Sequence, residues 1–292
     1  MKALTSKKVK YILVGWKHKS HPKNATEISI PKRAYMFYVT NKNYGCCVMV
    51  FAQRFKLFKS DPTIDVVALV TGLDEQLMVN MRDLGIKVIE VDALKSSHAE
   101  NEISDYYLES VTKFQIFKNW GYDKFVFLDA DSILMGNIDH LFDLPEIPTF
   151  WTPRAYWLGE ELQPAFTSIL IVGKPSEDIF NASVALSKTD NSLFDMDVLN
   201  KLYRHQVGLL PNIYGLTNWA FWNVGDEPAE YRNHLEELHK NLKLVHFTGV
   251  QDGGYGKPWN TDRKKPEDYH QRKFYYELFD IFYSHYNQVC PN

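Results

Sequence analysis

Ala34-Tyr-Met-Phe-Tyr-Val-Thr40 carries no charge and mixes aromatic, β-branched and small side chains, the composition of a buried strand. Directly after it Val48, Phe51, Ala52, Phe55 and Phe58 fall at helical spacing, so the two segments form a βα unit. The pattern repeats. Ile64-Asp-Val-Val-Ala-Leu-Val-Thr71 is a second buried strand, Leu73 to Leu84 a helix, and Ile86-Lys-Val-Ile-Glu-Val-Asp92 a third strand. Strands joined by helices pair in parallel. A helix over about 105–119 then leads into a strand ending at Asp129. The alternation predicts an α/β doubly wound sheet whose strand ends line a crevice, the place where such sheets bind ligands.

Further along the order loosens. Phe166-Thr-Ser-Ile-Leu-Ile-Val172 reads as a strand, and Pro175 to Leu186 and Phe194 to Tyr203 read as helices. From His205 to Asn223 the chain is rich in Gly, Pro, Asn and aromatic residues, which suggests loops built over a site. Glu227 to Lys243 reads as a charged surface helix. Tyr269 to Tyr283 reads as a helix with aromatic residues on more than one face; packing uses one face, and a homodimer contact is open to the rest.

Composition narrows the class. With 292 residues, 45% of them apolar, the chain can bury a sizeable core. A net charge of -3 gives no basic face for nucleic acid, and no stretch approaches the roughly 20 apolar residues that cross a bilayer. The basic start is followed by an apolar run, Tyr11 to Trp16, too short for an export signal. Cys46 and Cys47 are adjacent and Cys290 lies far along the chain, which suggests no disulfide framework and a reducing, cytoplasmic setting. The sequons at Asn24 and Asn181 then read as chance.

The chemistry is densest at Phe125-Val-Phe-Leu-Asp-Ala-Asp-Ser-Ile-Leu-Met-Gly-Asn137. Asp129 and Asp131 are one residue apart where the chain leaves the sheet, so both carboxylates can converge on one hard cation. A solvated strand end is the plainer reading of Asp-x-Asp alone. Two other clusters weigh against it. Leu244-Val-His246 puts a histidine at a strand end, followed by a glycine-rich loop and Lys257; glycines let backbone N–H groups approach phosphate oxygens, lysine supplies charge, and a neutral imidazole can ligate a metal. Val39-Thr-Asn-Lys-Asn-Tyr44 offers small polar groups and a ring for a nucleoside, or else an Asn turn capping the next helix.

In order along the chain, Val39-Thr-Asn41 with Tyr44, Thr112-Lys113, Leu128-Asp-Ala-Asp131 with Gly136-Asn-Ile-Asp139, and His246-Phe-x-Gly249 with Lys257-Pro-Trp259 resemble the motifs of glycosyltransferase family 8, retaining transferases that include glycogenin. The resemblance implies a GT-A type fold: a single Rossmann-like nucleotide-binding domain with a mostly parallel mixed sheet over 34–260, an extension over 1–33, and a C-terminal helical segment over 261–292. It implies Mn²⁺, with Mg²⁺ as the alternative, held by Asp129, Asp131 and His246, and a UDP-sugar as donor. Lys257 would meet the phosphate, and Val39, Thr40, Asn41 and Tyr44 the uridine. Ala130, Thr167, Ser168 and Gly249 would lie along the donor, with Lys113, Asp195 and Asp197 as the catalytic group.

Departures from the pattern bear on substrate. Met196 stands where the family often has glutamine, Asp197 is an extra carboxylate, and Thr167 replaces an asparagine. The stretch Gly215 to Asn223 has no tyrosine to be self-glycosylated, so transfer of glucose or galactose to a separate glycan or glycoprotein is expected, with Trp219 and Trp222 as candidates for stacking on it. A glycogenin-type self-glucosylating primer is the alternative within the family. A haloacid dehalogenase-type phosphatase also uses Asp-x-Asp, but there the motif opens the domain. A nucleotide-sugar-binding protein without turnover is the third reading, motivated by Met196.

Overall fold

Alternate residues of the first strand, β1 (Arg33–Val39), serve two different cores. Ala34 and Met36 join one apolar cluster while Tyr35, Phe37 and Val39 join the other, as the period-two side-chain alternation of a strand requires. The computed structural model describes residues 31–94, 110–158, 165–190, 193–222, 237–248, 256–260 and 272–290. The next strand, β2 (Asp65–Val70), divides in the same way: Val66, Ala68 and Val70 on one side, Val67 and Leu69 on the other. Both faces are therefore covered, which is why these strands read as continuous apolar runs.

The helices sort onto those faces. α1 (Lys42–Leu57) and α2 (Glu75–Asp83) pack on the Tyr35 side through Val48, Phe51, Phe55, Leu77 and Met81. The opposite face receives a 3₁₀ helix, Ser110–Phe117, and α3 (Glu177–Thr189) with α4 (Asp195–Tyr203). β3 (Ile86–Glu90) pairs in parallel with β2, β2 with β1, and β1 with β4 (Lys124–Leu128). Strand order thus runs outward from β1 to β3 and then restarts on the other side at β4, so a crevice opens at the carboxyl ends of β1 and β4.

β5 (Ser132–Leu134), β6 (Trp151–Pro153), β7 (Leu170–Gly173), β8 (Gly208–Leu210), β9 (Leu216–Thr217) and β10 (Leu244–His246) complete two sheets. The larger has seven strands in the order β3-β2-β1-β4-β7-β6-β8, and β7 is antiparallel to both its neighbours. It is the mostly parallel mixed sheet expected of an α/β fold. The smaller sheet runs β5-β10-β9, and its β9, with β8 of the larger sheet, falls within 205–223, the stretch expected to be loops.

Several expectations need correction. Within the described residues the helix expected over 105–119 is the 3₁₀ helix Ser110–Phe117, buried from Val111 to Phe117 and tied to the 92–94 backbone through Gln115 and Thr112. The strand expected from Phe166 begins at Leu170, because Thr167 and Ser168 turn aside into the site and Phe166 makes only an isolated bridge to Arg154. Of the helix expected over 227–243, residues 237–241 are helical and 223–236 lie outside the described residues.

The cysteine reading is corrected too. Cys46 in α1 and Cys290 are joined by a disulfide, with Cα atoms 5.2 Å apart and 244 residues between them in sequence. This removes the cysteine argument for a reducing compartment, since such bonds persist where conditions are oxidising. No helix of the described residues is long and apolar enough to cross a membrane.

The bond secures α5 (Lys273–Val289) against α1. The aromatic residues that left room for a dimer contact are used within the chain. Tyr275, Phe279 and Phe282 are buried, Tyr283 donates to the Pro258 carbonyl, and Tyr286 packs on Phe282 at 5.5 Å between ring centroids.

Candidate active site

The turn after β4 creates the site. Asp129 N–H donates to the Ile169 carbonyl at 2.9 Å and Ser132 N–H to the Asp129 carbonyl at 3.1 Å, so the chain reverses and enters β5 at Ser132. β5 pairs antiparallel with β10, setting His246 opposite Ser132, and Phe247 N–H donates to the Asp131 carbonyl at 2.9 Å. A histidine more than a hundred residues away is carried beside the aspartates by strand register. His246 Nε2 lies 3.0 Å from Asp131 Oδ1 and 3.9 Å from Asp129 Oδ2.

One donor atom from each of Asp129, Asp131 and His246 can be chosen so that all lie within 4.8 Å of one another. Carboxylate oxygens with one imidazole suit a hard or borderline divalent ion, and the three residues fit such an ion. Burial would raise the Asp131 carboxyl, but Lys257 and His246 together outweigh it and hold Asp131 below the ordinary carboxylate range. At Asp129 burial wins: its carboxyl sits above the ordinary range despite Lys113 and His246.

On the far side Lys113, from the 3₁₀ helix, lies 2.9 Å from Asp129 Oδ1 and 2.6 Å from Asp195 Oδ2. Ser168 donates to the same Asp195 oxygen at 2.7 Å and accepts from Lys113 at 3.2 Å. Asp195 is the first residue of α4, where the helix dipole favours negative charge. Burial opposes charge on both partners, yet the attraction prevails: Asp195 falls below the usual carboxylate range and the Lys113 ammonium is held more firmly than usual.

A cleft of about 220 Å³ joins these groups, lined among others by Thr40, Tyr44, Lys113, Asp129, Asp131 and Asp195. Tyr44 meets Trp259 edge-to-face at 5.1 Å between ring centroids. Lys257, two residues before Trp259, donates to Asp131 and to the Phe247 carbonyl at 2.6 Å. Ala130, Thr167, Ser168 and His246 also line the cleft.

Other residues singled out from sequence go elsewhere. Val39 is wholly buried in the core. Asn41 caps α1, its Oδ1 accepting from Asn43 and Tyr44 N–H, so the capping reading of the Asn turn holds. Asp197 caps α4 by accepting from Phe194 N–H at 3.1 Å and does not line the cleft. Gly249 lies outside the described residues. Asp139 of the Gly136-Asn-Ile-Asp motif is a structural hub, accepting from Tyr35 Oη at 2.7 Å and Asp61 N–H at 2.8 Å. Trp222 is buried against Tyr275 and Trp219 stacks on Trp222; neither lines the cleft.

Tyr38, Ser110, Trp157 and Ile169, which the sequence did not flag, do line it. Ile169 follows Thr167 and Ser168 directly, so its place beside two residues already assigned to the donor was the available signal.

The architecture is of the GT-A type. A galactosyltransferase, LgtC, solved with donor and acceptor sugar analogues, has a similar fold at a TM-score of 0.61 and 17% identity, covering 88% of this chain and 96% of that one. No family model matches the chain. Among curated proteins it is 28% identical over 251 residues to glucose N-acetyltransferase 1 of Gibberella zeae, covering 78% of this chain and 53% of that protein, about half its length. It is 25% identical over 246 residues to human glycogenin-1 (Homo sapiens), covering 78% and 62%. In sequence the chain is similar to glycogenin and related glycosyltransferase family 8 proteins, and in fold to a solved galactosyltransferase.

Proposed function

We propose that the chain is a retaining, metal-dependent hexosyltransferase that moves glucose or galactose from a UDP-sugar to a separate glycan or glycoprotein. The observation that carries this reading is the convergence of Asp129, Asp131 and His246 in a cleft that Tyr44 and the buried Lys113–Asp195–Ser168 group also line. An aromatic ring suits a nucleoside, the polar group a sugar hydroxyl, and a cation a diphosphate.

Asp129, Asp131 and His246 would hold Mn²⁺ or Mg²⁺, which when bound offsets the charge that develops on the departing diphosphate. Lys257 adds a second cation on the same side. Transfer breaks the bond between the anomeric carbon and the diphosphate oxygen and leaves that electron pair on UDP. The anomeric carbon then joins an acceptor hydroxyl, whose proton is released with UDP. Asp195, fixed by Lys113 and Ser168, orients the donor sugar through its hydroxyls. Retention of configuration comes with the family resemblance, and the absence of a tyrosine in 215–223 supports a separate acceptor.

Incubation with a panel of UDP-sugars and Mn²⁺, with UDP release as readout, tests the reading. Release with at least one sugar supports it. Cleavage of simple phosphate esters instead would point to a phosphatase, and tight UDP binding with neither hydrolysis nor transfer to a binding protein.

A further inference from the structure

We propose that Trp157 is the platform on which a sugar ring of the acceptor stacks at the mouth of the cleft. The inference rests on the transferase reading above and names the acceptor chemistry that this reading leaves open. Trp157 lies in the short 3₁₀ turn Tyr156–Leu158 that follows β6. Its side chain lines the same cleft as Lys113, Asp195 and Met196, yet it is 41% exposed. Tyr44, the other aromatic ring assigned a ligand role, is by contrast 9% exposed and packed on Trp259. Lys113, Ser168 and Asp195 line the cleft with little exposure, which suits the donor sugar, and the half-exposed indole is left to a second molecule.

The indole is held in place. Tyr156 meets it edge-to-face, with ring centroids 5.2 Å apart and planes at 83°. The Tyr156 hydroxyl lies 2.7 Å from Thr217 Oγ1 and accepts from Thr217 N–H at 3.1 Å. Thr217 is paired with His246 across β9 and β10, so the platform is referenced to the metal-ligating strand. On its other flank Ala155 N–H donates to the Ala165 carbonyl at 2.8 Å, beside the segment that carries Thr167 and Ser168. A ring packed on a neighbouring ring, in a turn whose backbone is tied at Ala155, loses little freedom when a ligand covers it.

A pyranose suits such a ring. One face presents C–H groups of slight positive charge to the electron-rich indole face, while the hydroxyls at the rim stay in water. The serine hydroxyl of an unglycosylated peptide brings no pyranose face to the indole. Trp219 and Trp222 do not compete for the role, because they lie outside the cleft lining.

Transfer is measured with UDP-sugars, Mn²⁺ and a panel of methyl hexosides, disaccharides and a serine-containing peptide, for wild type, Trp157→Ala and Trp157→Phe. Binding of the same probes in UDP and Mn²⁺ is measured by calorimetry. Trp157→Ala raises the KM for the best sugar acceptor roughly tenfold, moves the donor KM less than about twofold, and Trp157→Phe recovers most of the loss. An unchanged acceptor KM overturns the proposal, as does a rise in donor KM equal to that for acceptor, or acceptance of the peptide alone. If wild type releases no UDP with any donor, the transferase reading falls; loss of sugar binding in Trp157→Ala would still support the platform, and equal binding by both proteins would overturn it.

Discussion

Lys113 Nζ lies 2.6 Å from Asp195 Oδ2, joining a 3₁₀ helix that precedes the Asp-x-Asp turn to the first residue of α4 that follows it by more than sixty positions. The same ammonium reaches Asp129 at 2.9 Å. Removing one partner of a buried ion pair leaves an uncompensated charge, at a cost of about 3–5 kcal/mol. Lys113→Ala therefore unfolds at markedly lower denaturant than wild type, and combining it with Asp195→Ala costs less than the sum of the two single changes. Urea titration of the four proteins measures both effects; additive losses would show that the pair is not coupled.

The metal reading makes a prediction that does not depend on turnover. A ligand that binds only the folded state at a hundred times its Kd stabilises by about 2.7 kcal/mol, roughly 4 °C for a chain of this size. Mn²⁺ raises the melting temperature of wild type on that scale, EDTA reverses the rise, and Asp131→Asn abolishes it. In the transfer assay Asp131→Ala and His246→Ala each lower turnover by roughly 10²-fold, the scale for loss of one electrostatic stabiliser. A full thermal shift in Asp131→Asn would place the ion elsewhere.

What the sequence disclosed divides along a physical line. β1, α1, β2, α2 and β3 were legible because each is a local pattern: period two buried on both faces, or apolar spacing on one helical face. Asp129 and Asp131 were legible because their proximity is covalent. The contact of His246 with them depends on β5 pairing with β10, two three-residue strands too short to leave a periodic trace. Asn41 and Asp197 were ambiguous because a side chain that bonds a ligand can equally cap a helix, and here both cap. Trp157 left no signal, since nothing local distinguishes an aromatic residue at a cleft mouth from one in the core.

The disulfide shows the same limit, because Cys46 and Cys290 meet only through the packing of α5 on α1. Removing a native disulfide typically costs about 2–5 kcal/mol, and long loops lie toward the upper end in the chain-entropy account. Cys290→Ser lowers the melting temperature, and a reductant lowers wild type to the same value without affecting the variant. Cys47, beside Cys46, is buried, and burial raises its thiol, so it is a poor partner for exchange. Thiol titration of the unreduced protein finds no reactive group when native and one in denaturant, and three after reduction. Three without reduction would rule out the bond.

His285, in α5, lies between two residues of α1: its Nδ1 is 2.9 Å from Gln53 Oε1 and its Nε2 is 3.2 Å from Arg54 Nη1. Arg54 can only donate, so Nε2 accepts and Nδ1–H donates to the glutamine, a neutral ring. Burial, and then the Arg54 charge, push the imidazole below its ordinary value of 6.5. A histidine whose folded-state value is depressed binds its proton more readily when unfolded, so stability is complete above about 6.5 and falls as pH drops from there through the lower folded value. His239, depressed chiefly by burial, acts in the same direction. The denaturation midpoint of wild type therefore falls between pH 7.5 and 5, and His285→Gln, which keeps a hydrogen-bonding side chain without the titration, falls less over the same interval. Parallel curves for the two proteins would show that His285 contributes nothing to the acid sensitivity.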